Sequence, residues 1–183
     1  MSRFIAFLRA INVGGGRTVK MDSLRQLFES LGFSGVTTFI ASGNVVFETT
    51  TKNAKTLERK IEQRLREALG YDVAAFIRTD AELAEIANYQ PFRQSEIETA
   101  AEFNIIFLAE TLDEKVTQKV LALRTDTDEF QVHGREIYWL RRKKQGESTF
   151  STLPLEKTLG RPFTIRGAKT VKKMAVKYAS PKS

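Results

Sequence analysis

Three consecutive glycines, Gly14, Gly15 and Gly16, follow an apolar segment and precede a helical pattern, with Arg9, Arg17 and Lys20 close by in the chain. Glycine-rich backbone can turn its N–H groups toward an anion, and a helix N-terminus directly behind adds a favourable field. No Gly-Lys-Ser/Thr follows the glycines and no acidic residue completes a dinucleotide fingerprint, so neither nucleotide-binding pattern is present. The alternative reading is a turn that needs positive φ. A second group is Ser42-Gly43-Asn44, a tight turn in which Gly43 can take the conformation a short hairpin demands. With Arg9 and Asn12 nearby it can form a polar pocket; as a plain hairpin it needs no ligand. Arg166, Lys169 and Thr170 stand where a final helix begins. Cations oppose the field of a helix N-terminus, which makes their placement more sensible if an anion or acidic side chain sits there. The run Arg141-Arg142-Lys143-Lys144 has the charge to touch phosphates, or to serve as a solvated loop. His133 stands alone at a predicted hairpin end, and Asp22, Glu48 and Asp72 form no readable acid–base or metal pair.

The elements that would position these residues follow from hydrophobic periodicity. Residues 4–11 read as a buried strand. Met21, Leu24, Leu27, Phe28 and Leu31 share a helix face that Gly32 ends. Residues 36–41 read as a strand, the turn at 42–44 reverses the chain, and Val45-Val46-Phe47 returns. Leu57, Ile61, Leu65 and Leu69 mark a second helix stopped by Gly70, and residues 73–77 give a fourth strand. Asp80 is the expected N-cap of a connecting helix that ends before Pro91. The polar, acidic stretch 93–102 is the expected division, giving units 1–92 and 93–183. The order then repeats: strand 103–108, a helix capped by Asp113, strand 130–132, a turn at 133–135, strand 137–140, a basic loop 141–145, helix 152–159 ended by Gly160, strand 162–165 and a basic helix 168–178. The repeat is one of element order, with no matching residues evident between the halves.

The order β-α-β-β-α-β is the ferredoxin-like split arrangement. The expected fold class is therefore α+β, with two tandem ferredoxin-like units and a C-terminal helix. In such a sheet the first and second strands run parallel with the third antiparallel between them. The glycine loop and the turn at 42–44 then lie at one end of the sheet, roughly 10 Å apart at two strand spacings.

Composition limits the function classes. Hydrophobic residues make up 42% and charged residues 28% of the 183, as expected of a chain that buries a core. Zero cysteines exclude disulfides, thiolate metal sites and thiol nucleophiles, and one histidine excludes a multi-histidine zinc site. No apolar run reaches the roughly 20 residues that span a bilayer, and the N-terminal segment is cut by Arg9, so no membrane association is expected and a cytoplasmic location is. The formal charge of +7 is uneven: +2 over residues 1–92, −5 over 93–133 and +10 over 134–183. The basic end favours an anionic partner.

The stretch Arg9-Ala10-Ile11-Asn12-Val13-Gly14-Gly15, then Val19-Lys20-Met21, Leu31-Gly32-Phe33 and Ser42-Gly43-Asn44-Val45-Val46-Phe47 resembles the signature of the domain-of-unknown-function family 1697. The resemblance continues weakly to Leu159-Gly160, Thr164-Ile165-Arg166 and Thr170-Val171. The family usually has Gly at the place of Ala10, and Asn and Trp at the places of Gly167 and Ala168. The resemblance implies a small bacterial cytosolic protein and assigns no activity. Three expectations follow. The first is a module binding an anionic small molecule or nucleic acid through Arg9, Asn12, Gly14, Gly15, Gly16, Lys20, Ser42, Gly43, Asn44, Arg166 and Thr170. The second is a small enzyme for a phosphorylated or carboxylated metabolite at the same loop. The third is a protein–protein module using sheet edges. No cofactor or metal is indicated, and the sequence leaves the oligomeric state open.

Overall fold

The computed structural model describes residues 1–12, 18–143 and 151–180; Gly14, Gly15, Gly16, Arg17 and Lys144 lie outside the described residues. The chain forms two compact units, Met1–Glu85 with Met174–Ser183, and Ile86–Lys173.

The first unit contains β1 (Ser2–Leu8), α1 (Met21–Glu29), β2 (Ser34–Thr38), β3 (Asn44–Thr49), α2 (Ala54–Leu69) and β4 (Ala75–Thr79). Its sheet runs β2-β3-β1-β4, with every adjacent pair antiparallel. Alternate strand residues Phe4, Ala6, Leu8, Val45, Phe47, Ala75 and Ile77 meet Leu24 and Phe28 of α1 and Leu57, Ile61 and Leu65 of α2 in one core. Phe47 sits at its centre, 4.5 Å from the Phe33 ring and 5.6 Å from that of Phe28. Ile5, Phe7, Val46 and Phe76 on the opposite face are buried as well. Burial on both faces explains why β1 reads as a continuous apolar run without alternation. Two sequence signals work as expected at α2: the Asn53 side chain accepts from the Thr56 N–H at its start, and Gly70 ends it at φ 79°.

The second unit repeats the plan. It contains α4 (Gln94–Thr99), β5 (Glu102–Phe107), α5 (Glu114–Leu121), β6 (Asp128–His133), β7 (Glu136–Arg141), α6 (Leu153–Leu159) and β8 (Thr164–Gly167), with sheet order β6-β7-β5-β8. Ile106, Leu108, Phe130, Ile137 and Trp139 pack with Val120, Leu155 and Leu159. The helices α3 (Asp80–Asn88) and α7 (Ala168–Tyr178) complete the chain. The fold is thus α+β, two tandem βαββαβ units with a C-terminal helix.

Several local expectations are corrected. β2 ends at Thr38, before residues 39–41, because Ile40 adopts φ 51° and turns the chain out of the sheet. The cap of α3 is Thr79: its Oγ1 accepts from Glu82 N–H at 3.1 Å while Glu82 Oε2 accepts from Thr79 N–H at 2.8 Å, a reciprocal box that displaces Asp80. The stretch 93–102 holds α4, whose polar residues show no apolar period. Arg141 is a buried strand residue and not part of a loop. It lies 3.1 Å from the fully buried Asp128 and 3.6 Å from Glu102, with its guanidinium over the Trp139 ring. Ion pairing and cation–π contact let an arginine occupy a position that its type alone assigns to solvent.

Candidate functional site

The end of the first sheet is built tightly. Leu8 N–H donates to Gly43 O at 2.8 Å and Arg9 N–H donates to Ala74 O at 2.9 Å, so β1 is held on both sides as it leaves the sheet. The exit of β1 lies beside the turn at 42–44, because Asn44 opens β3, the direct neighbour of β1; the expected spacing to that turn concerned Gly14, Gly15 and Gly16, which lie outside the described residues. A Cβ at Gly43 would stand 3.1 Å from Ile11 Cβ and 3.2 Å from Leu8 Cβ, and its φ is 78°. Both the contact and the conformation demand glycine. Ala10, Asn12 and Ile40 have φ of 58°, 57° and 51°, and they are the non-glycine residues with positive φ among those described. All three lie at this end of this sheet.

The polar side chains here fasten the backbone. Asn12 Oδ1 accepts from Val19 N–H at 2.7 Å, and its Nδ2 donates to Val19 O at 2.9 Å and to Ala41 O at 3.2 Å. One amide therefore pairs with both backbone groups of Val19, as a strand neighbour would, and ties the base of the glycine loop to the 39–43 turn. Asn44, fully buried, donates Nδ2 to Phe39 O and to Ser42 Oγ, each at 3.0 Å. Arg9 is half-buried and Lys20 is exposed. Lys20 occupies the N-cap of α1 and supplies no side-chain cap, so the first-turn N–H groups of that helix receive no acceptor from their own cap.

Arg166 and Thr170 belong to other elements. Arg166 lies on β8 opposite Ile105 and is buried, with Nη1 donating to Thr164 Oγ1 at 2.7 Å and to Ile165 O at 2.9 Å. Burial lowers its pKa well below the usual arginine range, to about 10. Thr170 is half-buried in the first turn of α7, and Lys169 beside it is exposed. His133 is exposed, its ring stacked on Tyr89 at 4.0 Å. Asp22, Glu48 and Asp72 each pair with an arginine, namely Arg25, Arg3 and Arg66. Among the described residues no cluster of His, Asp or Glu could hold a metal ion, and no helix is long and apolar enough to cross a membrane.

The fold and this sheet end define a protein of two ferredoxin-like units, in the first of which Asn12 joins Val19 to the 39–43 turn. The chain matches the model of the family described as "Protein of unknown function (DUF1697)" over residues 1–138. It belongs to that family. Among solved structures it is similar to the conserved bacterial protein SP0830 from Streptococcus pneumoniae, at 24% identity and a TM-score of 0.74, with 98% of this chain and 99% of that one covered. No curated protein matches it.

Proposed function

We propose that the loop end of the first unit binds an anionic group, a phosphate or carboxylate carried by a small molecule or a nucleic acid. The observation behind this reading is the gathering of Ala10, Asn12 and Ile40 in left-handed backbone at one sheet end. Each costs on the order of 1 kcal/mol or more outside glycine, and such strain concentrates where backbone is held for a purpose. The start of α1, which receives no side-chain cap from Lys20, and the cations Arg9 and Lys20 supply the chemistry: first-turn N–H donors, a favourable helix field and positive charge. The sheet-edge reading has less behind it, because β2 pairs with a register shift between Ser34 and Thr37 and carries Gly35 at φ 57°, irregularities that discourage edge pairing.

Thermal unfolding with pyrophosphate, citrate and a short single-stranded RNA tests the proposal. A ligand at about 100 times its Kd stabilises by about 2.7 kcal/mol. The expected result is stabilisation by at least one of these, lost in Arg9→Ala and Lys20→Ala and kept in Lys115→Ala on α5. RNA binding should also weaken steeply as salt rises. No response to any anion, or an equal response in all three variants, overturns it.

A further inference from the structure

A second concave site lies wholly within Ile86–Lys173, with no part in the glycine loop. It is a cavity of about 480 Å³ at the end of the β5–β8 pair, where Asn104 faces Gly167 across the ladder. This volume falls in the range of small-molecule sites. Its lining carries both signs of charge: Glu98 on α4 and Glu102 on β5, and Lys169 and Lys172 on α7. Ile97, Phe103 and Ala168 add apolar surface. The opposed charges do not close on one another. Among the described residues Lys169 and Lys172 form no ion pair, Glu98 accepts from Gln94 at 2.9 Å, and Glu102 faces Arg141 at 3.6 Å. Lysines and glutamates that line one cavity without pairing with each other leave room for a molecule carrying both complementary charges.

We propose that this cavity binds a short zwitterion of the dipeptide class, its ammonium toward Glu98 and Glu102 and its carboxylate toward Lys169 and Lys172. An extended dipeptide spans about 7 Å. It offers an apolar side chain to Ile97 and Phe103 and an amide that Asn104 can bond.

Isothermal titration calorimetry of the full chain with alanyl-leucine, its N-acetyl form and its C-terminal amide tests this. The free dipeptide should bind, and each blocked form should bind at least about tenfold more weakly, a difference of 1.4 kcal/mol. Lys172→Gln should erase the preference for free dipeptide over amide. Glu98→Gln should erase the preference over the acetylated form. Arg9→Ala should leave all three titrations unchanged, which separates this site from the anion site of the first unit. Absence of binding by the free dipeptide, equal binding of all three forms, or wild-type discrimination in both charge variants overturns the proposal.

Discussion

Replacing Asn12 separates backbone strain from side-chain bonding at the sheet end. The Asn12 amide makes three hydrogen bonds, two to Val19 and one to Ala41. A net contribution of about 1 kcal/mol each, reduced for partial exposure, gives a loss of about 2–3 kcal/mol on complete removal of the side chain. Asn12→Gly removes all three while accepting φ 57° without strain. Asn12→Ala loses the same bonds and keeps a Cβ in left-handed backbone, a strain of about 1 kcal/mol that the Gly variant sheds. The expected order of stability is therefore parent, then Gly, then Ala, the opposite of the ordinary preference for Ala over Gly. Urea denaturation followed by far-UV circular dichroism gives the two differences from the shift in midpoint at constant slope. Native emission of the single tryptophan, Trp139, on β7 of the other unit, should stay unchanged and serves as a control. A Gly variant within about 0.5 kcal/mol of the parent would show that the amide bonds do not hold the loop base, and an Ala variant more stable than the Gly variant would refute the strained conformation.

Ala10→Gly should stabilise by up to about 1 kcal/mol, since relief at φ 58° outweighs the added entropy of the unfolded chain, and the thermal midpoint should rise by a few degrees. Asp128→Ala removes the acceptor of the Trp139 indole N–H, at 2.8 Å, and the nearer partner of Arg141; it should cost about 3–5 kcal/mol and change the tryptophan emission, with Asp128→Asn milder on both counts. Arg166→Met removes a guanidinium that burial disfavours, its pKa held at about 10, well below the usual arginine range, together with its bonds to Thr164 and Ile165; the two effects offset, and the change should stay within about 2 kcal/mol. Below about 10 both folded and unfolded chains keep the proton, so the burial penalty is constant; above it the unfolded chain binds more protons and stability rises with pH. The difference between variant and parent should therefore be flat from about pH 6 to pH 9, and a slope there, or a larger loss, would refute the reasoning.

The element order was legible because its signals are local. Leu57, Ile61, Leu65 and Leu69, every four residues, wrote α2, and Gly70 and Gly160 wrote helix ends that the backbone realises at φ 79° and 58°. Asp113 wrote the start of α5. What escaped depends on neighbours remote in sequence. Arg141 looks like a loop cation until Asp128 and Glu102 are placed on the adjacent strands. The bonds of Asn12 stay hidden until the fold brings Val19 and Ala41 to it. The cavity lined by Glu98, Asn104 and Lys172 draws on three segments with no shared motif. Even the repeat was more than element order. Aligned by register, Ile5-Ala6-Phe7-Leu8 matches Ile105-Ile106-Phe107-Leu108, and Ile5 pairs with Arg78 as Ile105 pairs with Arg166. Both arginines are buried and donate Nη1 to the carbonyl of the isoleucine before them, Ile77 or Ile165, at 2.9 Å. Spacings of 88 to 100 residues, Arg78 to Arg166 and Ile5 to Ile105, hide such a match until strand pairing supplies the frame.

That frame also shows where the units part company. Leu8 N–H donates to Gly43 O and Leu108 N–H to Arg135 O, so both first strands end against the same hairpin position. Beyond it, the second unit passes within a few residues to Asp113, whose carboxylate accepts from Val116 N–H at 2.7 Å and closes the start of α5 with its own side chain. The first unit inserts the glycine segment and reaches α1 through Lys20, which provides a cation where α5 has a carboxylate. One unit caps its helix start with its own N-cap side chain, and the other has no such side-chain cap. Lys20→Asp converts the first arrangement into the second. The new carboxylate can accept from the Ser23 N–H and should stabilise the fold by about 1 kcal/mol. It should at the same time abolish stabilisation by pyrophosphate, because the same donors are then occupied and the local charge is reversed. Unfolding midpoints measured with and without pyrophosphate read both effects. A gain in stability with the anion response intact would mean that the anion binds elsewhere, and no gain in stability would mean that the start of α1 was never open.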